Sequence, residues 1–298
     1  MPGYNLAMRR RNFLIGPAAA ASLAGLGWAQ DATRRAKLDR ISVMSGDFAN
    51  LMTEVRDWSQ EAAPKQLDIL DFPQMLADHY QIHNVEVQQI HFLSMKPSYY
   101  KEFNKRLKKA KSKMVDMPLE LDEKGYSGIV SPCSPDPAMR AKAVDLTKKW
   151  IDIASQINCP RIMINQGSAD TPADMPPVIE AMKTLSAYGK SKNVAILMEN
   201  RGRTTPEELA RLMKATGTYA NPDLGNFRDE ESRARGVRVM FPLSYNFCHV
   251  KMNARFDFAN SIKLAKEMGF KGVYSIETGG PDPYATVQKV VDGLLENI

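Results

Sequence analysis

From residue 40 to the end of the chain, short apolar runs alternate with amphipathic stretches, one pair about every thirty residues. The runs "RISVMSG" (40–46), "NVEVQQI" (84–90), "VDMPLEL" (115–121) and "RIMINQG" (161–167) read as strands. So do "VAILMEN" (194–200), "TYANPDLGN" (218–226), "FCHVKMN" (247–253) and "GVYSIET" (272–278). The third is the weakest, because Pro118 removes a ladder donor. Helical patterns fall at 64–80, with Pro73 as an interruption, and at 98–114, 136–158, 174–193, 205–216, 256–270 and 282–298. Asp136-Pro137 and Thr205-Pro206 are a cap followed by proline in the first turn. Residues 227–246 are the least regular crossover.

A helix between successive strands implies parallel strands joined by right-handed crossovers. Eight such units in about 260 residues predict an α/β fold of the (β/α)8 kind, a TIM barrel. A doubly wound open sheet is the competing architecture, but no glycine-rich phosphate loop follows the first strand. The chain of 298 residues, 44% hydrophobic, has ample material for one large core. No linker divides it, and the proline-rich "SPCSPDP" (131–137) reads as a loop of the barrel.

The N-terminus stands apart. Arg9, Arg10 and Arg11 precede a modest apolar stretch rich in small residues, and Gly27-Trp28-Ala29 resembles a small-x-small cleavage site. "RRNFL" resembles the twin-arginine pattern. The expectation is an export signal over residues 1–30, a barrel domain over 31–298, a periplasmic or otherwise exported protein, and no stable membrane insertion once the signal is cleaved. The formal charge of +6 loses three arginines with the signal. The basic run "KRLKKAKSK" (105–113) lies in a helical pattern without aromatic interleaving, so it reads as a solvated face and nucleic acid is not expected as a partner. Cys133, Cys159 and Cys248 form no pair motif and read as buried free thiols, although an exported protein permits one disulfide.

Four polar residues sit at or just past the last four strands: Glu199 in "ILMEN", Asp223 in "NPDLGN", His249 in "CHVKM" and Glu277 in "YSIETGG". A barrel gathers the C-terminal ends of its strands around one mouth. Three carboxylates in a partly apolar cup repel one another and are costly to desolvate; a divalent cation resolves both problems. Oxygen donors plus one imidazole suit a hard dication, Mn²⁺ first, with Mg²⁺ or Co²⁺ as alternatives.

On these motifs, the chain beyond its signal resembles the sugar phosphate isomerase/epimerase family of xylose isomerase-like barrels. The resemblance implies that Glu199, Asp223, His249 and Glu277 bind the metal, and that Glu199 and Glu277 also exchange protons with the substrate. The chemistry it implies is removal of a proton α to a carbonyl, a cis-enediolate, and return of a proton. Arg255, six residues after His249, corresponds to an arginine near substrate oxygens. Lys251 shares the barrel face of His249 by strand alternation. Glu86 resembles the family's second-strand glutamate. His91 and Gln166, at the ends of the second and fourth strands, are further candidates for lining the mouth, with Asn226 among the substrate positions.

Two positions depart from the family pattern. Asn226 stands where many epimerases have a second histidine, and Thr205 where some have another glutamate. The expected function is therefore a divalent-metal-dependent isomerase or epimerase acting on an unphosphorylated sugar, keto-sugar or glycoside. The alternatives are a lyase or dehydratase using the same enediolate, or a non-catalytic exported carbohydrate-binding barrel. A DNA-repair endonuclease on this fold would need more histidines than His249, the one histidine beyond residue 91. The expected partner is a small carbohydrate, and a homo-oligomer is left open.

Overall fold

The computed structural model describes residues 31–59, 62–121, 131–164, 176–201 and 204–298. Residues 1–30 and Gln166 lie outside them. The chain divides into two compact units, Met1–Lys37 and Leu38–Ile298. In the first, residues 31–37 are helical. No helix among the described residues is long and apolar enough to cross a membrane.

The second unit has nine short strands: β1 (Ile41–Met44), β2 (Asn84–Glu86), β3 (Lys113–Asp116), β4 (Pro118–Leu119), β5 (Arg161–Ile164), β6 (Ala195–Glu199), β7 (Tyr219–Asn221), β8 (Phe247–Val250) and β9 (Val273–Ile276). Every pairing is parallel, in two arcs ordered β3-β2-β1-β9-β8 and β4-β5-β6-β7. At one seam the chain itself runs from β3 through Met117 into β4. At the other, the bridges Ala220↔Ser244 and Asp223↔His249 tie β7 to β8. The arcs thus close into a TIM barrel with eight staves. The single third strand expected at 115–121 is split in two: Pro118 has no N–H to give, and pairing changes partner at Met117, whose carbonyl accepts from Met163 N at 3.2 Å.

Eight helices follow the strands: α1 (Phe72–Tyr80), α2 (Pro97–Lys109), α3 (Pro137–Gln156), α4 (Pro176–Ser191), α5 (Pro206–Thr216), α6 (Glu230–Met240), α7 (Phe258–Glu267) and α8 (Pro283–Asn297). Asp136 caps α3 through Ala138 N and Met139 N, and Thr205 with Glu208 forms a capping box on α5. Two helices differ from the sequence pattern. The stretch 64–80 becomes helical only at Phe72, because Pro73 fits a first turn and not a helix interior. The irregular crossover contains α6, with its own capping box of Asp229 and Ser232. Its periodicity is hidden because a core position is held by Arg233, fully buried over the Phe256 ring and paired with Glu230 and Ser261. Gly236 lies under Phe227, where a Cβ would come within 2.2 Å of the ring.

Strand alternation sorts side chains into two environments. Ile196 and Met198, Cys248 and Val250, and Tyr274 and Ile276 join the main core. Leu197 and Phe247 belong instead to a separate small cluster with Val115 and Met163. That cluster is the filled lumen of the barrel, a packed layer and not a pore. Two residues farther along the same faces come Glu199 and His249, so polar groups lie one layer above an apolar floor.

Candidate metal centre at the barrel mouth

Glu199 ends β6, His249 lies in β8, Asp223 follows β7 and Glu277 follows β9. One ligand atom from each lies within 4.8 Å of the others. Glu199, Asp223 and His249 are fully buried, while Glu277 keeps a partly exposed side chain. Parallel register carries them there: Asp223 bridges His249, and Glu277 N donates to Val250 O at 3.0 Å.

The imidazole is clamped from both sides. His249 Nε2 is 2.8 Å from Glu86 Oε1, and Glu86 Oε2 accepts from the Ser275 hydroxyl. With Nε2–H donating to Glu86, Nδ1 is the nitrogen left for a cation. That atom faces Glu199 Oε1 at 2.9 Å and Glu277 Oε2 at 3.1 Å. Burial alone would push the imidazole's proton affinity down; Glu86, Glu199 and Glu277 outweigh it and hold it well above the usual range.

Lys251, the next inward residue after His249, sets its ammonium 2.7 Å from Asp223 Oδ2 and 3.1 Å from Glu277 Oε2. It also donates to Asn226 Oδ1 at 3.1 Å. Gly225 makes room for it, since a Cβ there would lie 2.3 Å from Lys251 Cγ. Burial raises the Asp223 carboxyl to about 8 against the pull of Lys251. Burial also works upward on Glu277, but the bond from His249 and the charges of His249 and Lys251 hold that carboxyl well below its ordinary value.

Loop geometry is set by four hydrogen bonds. Asn200 brackets the Asp223 backbone, donating to its carbonyl at 3.0 Å and accepting from its N–H at 2.7 Å. Asp223 Oδ1 accepts from Gly225 N at 2.7 Å. Asp47, after β1, accepts from Thr278 N at 2.6 Å and so fixes the residue next to Glu277.

A dication fits this donor set. Five carboxylates, from Glu86, Asp116, Glu199, Asp223 and Glu277, crowd around the two basic groups His249 and Lys251. Glu199 Oε2 is buried without a hydrogen-bond partner among the described residues, as are both oxygens of Asp116. Two like charges 4.8 Å apart cost roughly 3.5 kcal/mol at an effective dielectric of 20. No thiol competes: Cys133, Cys159 and Cys248 are free and buried, and Cys248 lies in the main core.

The other expected positions fall as follows. Glu86 joins the site through His249. Arg255 donates to Phe227 O at 3.0 Å and lines a cavity of about 390 Å³ beside the cup, as do Asn200 and Asn226. His91 is buried, with Nδ1 2.6 Å from Ser45 Oγ. Thr205 serves α5 as its cap. Asp116, Ser275, Asn200 and Asp47 belong to the constellation but were not singled out in the sequence. The signals were there: a carboxylate inside an apolar run at Asp116, and an amide right after a ligand at Asn200.

A search of the curated proteins found no match. Among solved structures, a xylose isomerase-like TIM barrel protein from Mycobacterium smegmatis in complex with magnesium superposes with a TM-score of 0.65 at 16% identity, covering 86% of this chain and 95% of that one. D-allulose 3-epimerase from Methylomonas sp. in complex with D-allulose gives 0.63 at 13%, covering 87% and 97%. The 3-keto-D-glucoside 4-epimerase of E. coli gives 0.63 at 12%, covering 87% and 99%. Those likenesses establish the shared fold. Residues 77–295, most of the closed cylinder and all four residues of the cup, match the family profile directly, and the chain is therefore a member of the xylose isomerase-like TIM barrel family.

Proposed function

We propose that the protein is a divalent-metal-dependent isomerase or epimerase of an unphosphorylated sugar, keto-sugar or glycoside. The observation that carries this reading is the cup of Glu199, Asp223, His249 and Glu277, whose surplus of buried carboxylates is left uncompensated by His249 and Lys251. Similar folds in proteins named as sugar epimerases support it. The cation would be held by those four residues, with Mn²⁺ preferred and Mg²⁺ or Co²⁺ as alternatives, and when bound it would polarise a carbonyl.

The chain's own residues supply the proton chemistry. Glu199 and Glu277 both reach His249 Nδ1, so their carboxylates flank one small volume. One takes the proton α to the carbonyl, giving a cis-enediolate, and the other returns a proton. Lys251 Nζ donates to Asn226 Oδ1, an orientation that leaves the Asn226 amide nitrogen to donate to a substrate oxygen as negative charge develops. The lumen layer of Leu197 and Phe247 beneath the ligands excludes water from below. The N-terminal pattern of Arg9 to Ala29 supports export ahead of the barrel domain.

The test is incubation of Mn²⁺-loaded protein in heavy water with a panel of free sugars and 3-keto-glycosides. Deuterium entering recovered sugar of unchanged mass otherwise is the expected result. Loss of water or of a substituent would indicate the lyase. No exchange with any member, while the metal is bound, would leave a carbohydrate-binding barrel.

A further inference from the structure

The cup occupies one end of the barrel, and the other end carries a recess of different chemistry. Ala195 and Tyr219 open β6 and β7, the strands that lead to Glu199 and Asp223. At this end lies a cavity of about 260 Å³, and its lining includes Tyr219, Tyr245, Lys190 and Asn193. Tyr219 and Tyr245 are 38% and 41% exposed, two of the three large hydrophobic residues left open to solvent among the described residues. Their rings meet, with centroids 4.6 Å apart and planes inclined by 50°.

This pair is held from inside the barrel. Arg161 Nε donates to Tyr245 O at 3.2 Å, and Nη1 to Val115 O at 2.5 Å. The same guanidinium lies 5.8 Å from the Tyr245 ring centre and 5.1 Å from that of Phe247, a residue of the lumen layer. The exposed rings are therefore anchored to the apolar floor beneath the cup.

The polar groups around the rings are not engaged. Among the described residues, neither phenol hydroxyl, nor the Lys190 ammonium, nor the Asn193 side-chain amide has a hydrogen-bond or ion-pair partner. A wholly apolar ligand would strip water from all four and satisfy none. An anion finds little attraction. Lys190 lies in the last turn of α4, and Gly217, which also lines the cavity, follows the last turn of α5. Both helices direct the negative ends of their dipoles here and offset the one ammonium. A neutral ligand remains, with an apolar face and a rim of groups that donate and accept. Phenol and amide side chains do both, as hydroxyls do.

We propose that this recess is a second carbohydrate site, separate from the cup, which takes one neutral pyranose unit. The C–H face of the sugar ring lies on a tyrosine face, where the ring quadrupole is negative, and its hydroxyls bond to Lys190, Asn193 and the phenols. A volume at the low end of the range for small-molecule sites suits a single ring. The inference does not depend on the isomerase reading.

The probes are methyl β-D-glucopyranoside, methyl β-D-galactopyranoside and methyl α-D-mannopyranoside, titrated calorimetrically at millimolar concentration into the full chain. Methyl glycosides are locked as rings and offer the cup no carbonyl. At least one should bind, with the same affinity whether or not Mn²⁺ is present. A Tyr219→Ala/Tyr245→Ala double variant, its fold checked by circular dichroism, should bind it about tenfold more weakly. Tyr219→Phe/Tyr245→Phe keeps the ring faces and should lose only about threefold. Binding of none of the three, equal affinity in wild type and the alanine variant, or a phenylalanine variant as weak as the alanine one overturns the proposal. Affinity that depends on Mn²⁺ would place the sugar in the cup and also overturns it. So does sedimentation showing a wild-type dimer that the alanine variant turns into a monomer, since the recess would then be an interface between copies.

Discussion

Replacing His91 by glutamine tests how the barrel holds a neutral imidazole out of water. The ring is 1% exposed. Its Nδ1 lies 2.6 Å from Ser45 Oγ, which also accepts from Gln88 N at 2.9 Å. Nε2 has no hydrogen-bond partner among the described residues. A protonated ring would need two acceptors and finds one at most. Burial, with the charge of Arg56 behind it, lowers the ring from 6.5 to about 4. The unfolded chain therefore takes up a proton that the fold refuses, and stability is lost as pH falls from about 6.5 toward about 4. Full protonation corresponds to about 3 kcal/mol, most of which is lost by pH 4.5. Glutamine does not titrate, so the variant lacks this slope whatever its stability at neutral pH. Urea unfolding of both proteins at pH 7.5 and 4.5 gives the comparison. Wild type should lose roughly 2–3 kcal/mol more than His91→Gln over that interval. Contributions from Asp47 and Asp116, whose carboxyls burial holds well above their usual range, occur in both proteins and cancel. Equal losses would refute the reasoning, and a larger loss in the variant would mean that the native ring is charged.

Three further outcomes are expected. Glu277→Gln should lower solvent-deuterium exchange by at least about a hundredfold with an unchanged circular dichroism spectrum, and wild-type exchange would remove Glu277 from the proton pair. Glu86→Gln keeps an acceptor for His249 Nε2 but loses the charge, so Mn²⁺ affinity should fall about tenfold in a competition titration; unchanged affinity would show that Glu86 does not tune the imidazole. Mn²⁺ at a hundred times its Kd should stabilise the fold by about 2.7 kcal/mol and raise Tm by about 5 °C, reversibly with chelator, and no shift with Mn²⁺, Mg²⁺ or Co²⁺ would speak against the cup.

The barrel was legible because its signals are local. Each apolar run and each amphipathic stretch can be read within a dozen residues, and their alternation leaves few topologies. Local reading failed where a tertiary contact replaced an apolar one. Arg233 fills a core position of α6 by virtue of Phe256, Glu230 and Ser261, none of which its periodicity announces. The broken third strand is an intermediate case: Pro118 marked the weakness, while the change of partner at Met117 is a property of barrel closure. In the site, Glu199, Asp223, His249 and Glu277 stood out because a charged residue at the end of an apolar run is costly unless something meets it. Asp116 broke an apolar run in the same way, but nothing in the sequence tied it to His249.

By itself, then, the sequence determined the alternation of elements, the parallel arrangement, and the four strand ends that carry donors. Closure decided the rest. Only the curl of the arc β3-β2-β1-β9-β8 puts Glu86, 163 residues away in sequence, against His249 Nε2, and only the inward turn after β8 brings Lys251 onto Asp223. Arg201, Arg228 and Arg255 from loops and Arg235 from α6 line one cavity for the same reason. Periodicity records which face of an element is apolar. Which polar groups meet across a cavity depends on distances that exist only once the cylinder is closed.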